Sequence, residues 1–200
     1  MQKLMGLVRR CVDDYDMIQE GDKIAVGVSG GKDSLVLLVL LAGLRAYFNK
    51  PFELEAITID MGLGMDYSEI KKLCDDHNLE VVSILPDHFS QKKWGKGAFT
   101  STDKNIRKDA VQVTKTLMDV AADMNCKKLT IWNGQDGYDY PFTANYMKEI
   151  EWLQEGIREC ADYRKDIQLA IEYKVREPRL HCYLSNVYST LMFLKEVNRD

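Results

Sequence analysis

The stretch AVGVSGGKDSLVLL, residues 25–38, decides how the chain is to be read. The short apolar run KIAVGV (23–28) enters a pair of glycines, and residues 34–47 follow, apolar all round as in a well-covered helix. The pattern is a strand, a glycine loop and a helix in direct succession. Gly30 and Gly31 permit backbone angles closed to other residues and leave no side chain in the way of an anion. Backbone N–H groups of such a loop, with a helix N-terminus behind them, make a cradle for phosphate. Lys32 adds a point charge, Ser34 a hydroxyl for a phosphate oxygen or a metal-bound water, and Asp33 a carboxylate that can help hold Mg²⁺. The spacing is not G-x-x-x-x-G-K-[ST], because Val26 stands where the first glycine of that pattern belongs. The plainer alternative is a glycine turn carrying an exposed lysine.

Outward from this loop, strands and helices alternate. Residues 2–18 place Leu4, Val8, Cys11, Val12 and Tyr15 at helical spacing. LEAITID (54–60) is a second strand, residues 66–77 a short helix with Ile70, Leu73 and Cys74 inward, and LEVVSIL (79–85) a third strand. A long polar connection, 86–102, leads to a helix that starts on TSTD (100–103) and carries Ile106, Ala110, Val113, Leu117, Ala121 and Met124. KLTIWN (128–133) is a fourth strand, and residues 143–162 form a helix on Tyr146, Ile150, Leu153 and Ile157. IQLAIEYK (167–174) is a fifth strand, and a last helix, 184–197, carries Val187, Leu191 and Leu194. Strand–helix–strand units of this size build a parallel sheet. No linker or internal repeat divides the chain, so we expect one α/β domain over residues 1–200.

Two hundred residues with 46% hydrophobic content suit one core, and a net charge of −4 exerts no overall pull toward nucleic acid or membrane. The five cysteines, at 11, 74, 126, 160 and 182, are widely spread and contain no C-x-x-C pair, which argues for reduced thiols. The apolar run Leu35–Leu44 is too short to span a bilayer, and no signal-type segment opens the sequence. The expectation is a cytoplasmic protein without membrane contact.

SGGKDS (29–34) resembles the signature of the PP-loop ATP pyrophosphatases, SGGxDS. Together with LVRRCVDDYDMIQEGDKIAVGVSGGKDSLVLL and FELEAITIDMG, it looks like the branch that thiolates cytidine in tRNA, over residues 1–76. The resemblance implies that Ser29, Gly30, Gly31, Asp33 and Ser34, with Lys32 among them, hold the pyrophosphate end of ATP. It also puts the segment around Asp60 and Met61 beside the nucleoside. ATP or phosphate, with Mg²⁺, is the ligand it implies. The branch's cysteine pair is missing, so no iron–sulfur cluster is expected and thiolation of a tRNA lacks a sulfur carrier.

From residue 77 another likeness begins. LEVVSILPDHF, GAFTSTDKNIRKDAV, LTIWNGQDGYDYPFTANY and LAIEYKVREPRLHCYL resemble TIM-barrel sugar isomerases of the xylose and L-rhamnose isomerase type. That likeness implies a metal-binding glutamate at a strand end, Glu172, followed by Lys174, with Trp132, Asn133 and Asp136 near the sugar pocket. Read from the residues alone, Glu172 is either a ligand at the active edge of a parallel sheet or a rim carboxylate paired with Lys174 or Arg176.

Two truncated likenesses meeting between a helix and a strand suggest an engineered or recombined chimera, 1–76 joined to 77–200, with natural divergence from both as the alternative. For the whole chain we expect a three-layer sandwich with a five-stranded parallel sheet. Its order would be the flavodoxin- or Rossmann-like 2-1-3-4-5, or else 3-2-1-4-5, with SGGKDS at the switch point. Sheet edges left open by a cut barrel favour a homodimer. The function expected is phosphate or adenine-nucleotide binding at residues 29–34. The alternatives are a fold with no activity, an ATP pyrophosphatase, and a residual sugar-isomerase metal site.

Overall fold

The computed structural model describes residues 2–28, 31–60 and 67–199. They divide into two compact units, the described residues up to Ile59 with those from Tyr67 to Ser83, and Asp60 with those from Ile84 to Arg199. In the first unit α1 (Gln2–Asp14), β1 (Lys23–Val28), α2 (Lys32–Arg45), β2 (Glu53–Asp60) and α3 (Ser68–Asp76) lead into β3 (Val81–Pro86). The unit boundary falls inside β3. The second unit continues with α4 (Lys104–Asp123), β4 (Lys128–Trp132), β5 (Gly137–Tyr138), α5 (Tyr146–Tyr163), β6 (Gln168–Glu172), β7 (His181–Cys182) and α6 (Val187–Val197).

In the first unit β1 runs parallel to β2, with Val26 beside Ala56 and Val28 beside Thr58. Only one face of β1 is covered: Val26 and Val28 are buried while Ala25 and Gly27 are exposed. The apolar run at 23–28 therefore marks a half-buried strand. α2 buries Leu38, Leu40, Leu41, Ala42 and Leu44 but leaves Leu37 at the surface, so its all-round apolar character does not correspond to all-round cover. α1 packs on α2. Gly43 is where that approach is tightest, since a Cβ there would stand 2.6 Å from the Met5 methyl.

The strand order corrects the sandwich expectation. β3 lies beside β2, where the Ala56 N–H faces the Glu80 carbonyl at 3.5 Å, and β1 does not separate them. In the second unit β3 pairs with β4 at Ile84–Leu129, and β4 pairs with β6 in parallel from Lys128–Gln168 to Trp132–Glu172. Strand thus follows strand in chain order, with no reversal. α4 packs on α5 and α5 on α6, so successive crossover helices share one side of the strands. A doubly wound sandwich needs a point where the order reverses and the helices change face. Steady advance in one direction is the arrangement of a parallel barrel. Both orders expected from the sequence, 2-1-3-4-5 and 3-2-1-4-5, are therefore overturned.

Three further expectations need adjusting. The connection 86–102 is a packed segment: Asp87, His88, Trp94, Ala98, Phe99, Thr100 and Ser101 are all buried. α5 turns Leu153, Gly156, Ile157, Cys160 and the carboxylate of Glu149 inward, while Tyr146 stays exposed. α6 buries Thr190, Phe193 and Val197 rather than Val187, Leu191 and Leu194. Asn186 sets that phase, because its side chain accepts from the N–H groups of Tyr188 and Ser189, both at 3.0 Å, in a capping box. β5 and β7 form an antiparallel ribbon, Gly137 against Cys182 and Tyr138 against His181, which the sequence pattern did not announce. No described helix is long and apolar enough to cross a membrane.

Candidate functional site

Two places collect the chemistry-bearing residues, one in each unit. In the first unit β1 ends at Val28 and α2 begins at Lys32, so the glycine loop occupies the strand-to-helix junction. Ser29 and Gly30 lie outside the described residues. Gly31 is the N-cap of α2, in an extended conformation with φ −78° and ψ 156°, and offers the helix no side-chain cap. Its carbonyl accepts from the Ser34 hydroxyl at 3.0 Å and from the Leu35 N–H at 3.2 Å. Lys32 and Asp33 are exposed in the first turn. A fourteen-residue helix thus starts here with early N–H groups that no side chain of its N-cap engages. Asp60 closes β2, and its side chain lies outside the described residues.

In the second unit the C-terminal ends of β4 and β6 bring Trp132 and Glu172 side by side in register. The Trp132 indole lies against its own loop. A Cβ on Gly134 would stand 2.3 Å from the indole, so only glycine lets the ring take that place. Phe89 meets the indole edge-on at 4.6 Å between centroids, and the Lys174 ammonium stands 5.1 Å over the ring. Glu172 is exposed, and its carboxylate has no hydrogen-bond or ion-pair partner among the described residues. Lys174, the partner considered for it, pairs instead with Glu177 at 3.5 Å. Three groups of His, Cys, Asp or Glu that could hold a cation together do not occur among the described residues. Glu172 therefore belongs to no cation-holding cluster of side chains there.

Asp136 and Asn133, grouped with Trp132 in the sequence, do something else. Asp136 is 1% exposed. One carboxylate oxygen accepts from the N–H groups of Ala98 (2.9 Å) and Thr100 (2.8 Å) and from the Thr100 hydroxyl (2.8 Å). The other accepts from the Asn133 amide at 3.0 Å. Burial pushes the carboxyl of Asp136 up, against these hydrogen bonds, which favour its charged form. Both oxygens are spent on the protein, so Asp136 ties segment 98–100 to the loop after β4 and presents nothing to a ligand.

Sequence reading missed His88. It is 2% exposed, edge-on to Trp94 and Phe99, with Nε2 3.4 Å from the Thr114 hydroxyl and Nδ1 unpartnered. Burial holds its imidazole down at about 4. Its signal was a lone histidine in a segment that looked polar. The cysteines are all free: Cys11 is exposed, the other four are buried, and burial pushes the Cys160 thiol up to about 12.

With this geometry in hand, comparison with known proteins gives two likenesses. A family model described as xylose isomerase-like TIM barrel matches residues 43–200. The chain is 30% identical to xylose isomerase of Thermus thermophilus over 133 residues, 64% of this chain and 34% of that one. It is 31% identical to the tRNA-cytidine(32) 2-sulfurtransferase of Geotalea uraniireducens over 140 residues, 68% of this chain and 53% of that one. The chain thus spans about a third to a half of these relatives' lengths. Shares of 64% and 68% must overlap, and the family match begins at residue 43. The likenesses therefore do not divide at residue 76. Among solved structures, an L-ribulose 3-epimerase superposes with a TM-score of 0.66 at 16% identity, covering 91% of this chain and 58% of that one. The D-allulose 3-epimerase of a Methylomonas species gives 0.64 at 20% identity, covering 90% and 60%. At such identities the likeness carries the fold alone, and it agrees with the sequential strand order against the sandwich.

Proposed function

Since the chain belongs to the xylose isomerase-like TIM barrel family, and its glycine loop lies N-terminal to the residues matched, we propose that residues 29–34 are an added site, which holds the phosphates of an adenine nucleotide. The observation that carries this reading is the junction itself. A strand stops at Val28, a long helix starts at Lys32, and the N-cap between them is a glycine. Phosphate oxygens would meet backbone N–H groups there, with Lys32 supplying charge and Ser34 a hydroxyl. Mg²⁺ would arrive with the nucleotide and be shared with Asp33. The likeness to the sulfurtransferase supports a nucleotide over a bare anion. A carbohydrate at the second unit's strand ends is a second reading, favoured by the Trp132 indole lying beside the Lys174 ammonium and in register with Glu172.

Thermal unfolding with Mg²⁺–ATP, with inorganic phosphate and with a neutral pentose tests both. A ligand at a hundred times its Kd stabilises by about 2.7 kcal/mol, roughly 5–10 °C for a chain of this size. We expect that shift with Mg²⁺–ATP and its loss in Lys32→Ala and Ser34→Ala. An equal shift with phosphate alone would reduce the site to an anion cradle. No shift with any phosphate compound would overturn the reading, and a shift with the pentose alone would favour the second.

A further inference from the structure

Two clasps join α4 to α5 on the outer, helical side of the second unit. The Arg107 guanidinium lies 4.0 Å from the centroid of the Trp152 ring, and the Lys115 ammonium meets Glu159 at 2.8 Å. They stand about 10–12 Å apart along the helices, from 107 to 115 on α4 and from 152 to 159 on α5. A pocket of about 200 Å³ opens between the helices at this place. Its walls follow from helical spacing. Lys104, Arg107, Lys108 and Val111 form one stripe of α4, and Trp152, Glu155, Gly156 and Glu159 the facing stripe of α5. Gly156 leaves room for the floor, since a Cβ there would stand 2.6 Å from a ring carbon of Phe99. Phe99 and Val111, buried at 1% and 8% exposure, make that floor apolar together with Trp152.

The two rims carry opposite charge, and part of each is already engaged. Glu159 is taken by Lys115, and Arg107 donates through Nη1 to the Ser101 carbonyl at 2.6 Å. Lys104 and Lys108 on α4 and Glu155 on α5 are exposed, and their charged groups have no hydrogen-bond or ion-pair partner among the described residues. Lys148, whose charge Glu155 influences through space, is held by Glu151 at 2.8 Å. Open ammonium groups face an open carboxylate across an apolar floor. Such a pocket is complementary to a molecule that carries a carboxylate, an ammonium and an apolar body at once. An apolar cavity of roughly 150 Å³ takes a benzene ring, so this pocket admits one side chain of leucine or phenylalanine size. The clasps bound the groove, which suits a single small molecule rather than a running chain.

We propose that the pocket between α4 and α5 binds a free α-amino acid with an apolar side chain. Lys104 and Lys108 meet its carboxylate, Glu155 meets its ammonium, and the side chain lies on Phe99, Val111 and Trp152. Calorimetric titration of the full chain with leucine, phenylalanine, glycine, phenylacetate and phenethylamine tests it. Leucine or phenylalanine binds. Glycine, phenylacetate and phenethylamine bind at least tenfold more weakly, because they lack the apolar body, the ammonium and the carboxylate in turn. The double variant Lys104→Gln, Lys108→Gln weakens binding at least tenfold, Glu155→Gln weakens it about fivefold, and Lys104→Arg with Lys108→Arg keeps most of it. Lys32→Gln, in the glycine loop, leaves it unchanged, which separates this site from the nucleotide site. Lys104, Lys108 and Glu155 are exposed, so an unchanged unfolding midpoint will show that their variants are folded. The proposal is overturned if neither amino acid binds, or if any of the three comparison compounds binds as tightly. It also fails if either charge-removing variant binds as the parent does, or if the loss appears in Lys32→Gln instead.

Discussion

His88 is a neutral imidazole walled by Trp94 and Phe99, and its stability effect has a definite sign. In the folded chain it takes up a proton only near pH 4, whereas unfolded it does so near 6.5. Between those values the unfolded state binds the extra proton, so the stability that His88 supports is complete above about pH 6.5 and is lost as the pH falls toward 4. At roughly 1.4 kcal/mol per unit the full loss is about 3 kcal/mol. Urea unfolding between pH 4 and 7 should show this slope, and His88→Phe should flatten it. Equal slopes in the two proteins would mean that another group drives the acid sensitivity. At this scale a pairing of Glu172 with Lys174 or Arg176 was legible as one alternative, and Lys174 pairs with Glu177 instead. The role of Asp136 was not legible, because its partners Ala98 and Thr100 are more than thirty residues away in the chain.

Elements follow local pattern until packing decides which face turns inward. Gly156 sits inside α5, where replacement by alanine improves helix propensity by about 1 kcal/mol. A Cβ there, however, would stand 2.6 Å from a ring carbon of Phe99 and 3.6 Å from a Val111 methyl, and Phe99 is 1% exposed. Overpacking of that kind costs about 1–3 kcal/mol. The cost outweighs the propensity, so Gly156→Ala should destabilise by about 1 kcal/mol, with a lower urea midpoint and an unchanged denaturant slope. A gain in stability would show that Phe99 can move. α6 makes the same point. Its apolar residues fill several faces, and the Asn186 cap together with the docking of Phe193 and Val197 selects one.

Taken whole, the sheet is laid down in chain order, and its edges have consequences. Among the described residues β6 has β4 as its sheet neighbour, and α6 leaves Tyr188, Leu191 and Met192 exposed at 79%, 58% and 59%. Uncovered strand edges and apolar helix faces favour self-association. Sedimentation velocity should show a dimer growing in with concentration. The double substitution Leu191→Lys, Met192→Lys should keep the chain monomeric at concentrations where the parent pairs. Association unaffected by the two lysines would place the contact elsewhere.

By itself the sequence determined the alternation of strand and helix, the position of the glycine loop between β1 and α2, and the pairing of β1 with β2 and of the later strands with one another. Each of these rests on residues close in the chain, where apolar spacing, glycine and caps act directly. Only the tertiary structure decided that the order runs on without reversal, because one βαβ unit looks the same locally in a sandwich and in a barrel. It also decided that 86–102 is core, since the apolar Trp94 and Phe99 lie among polar residues whose hydrogen-bond partners come from the distant loop after β4.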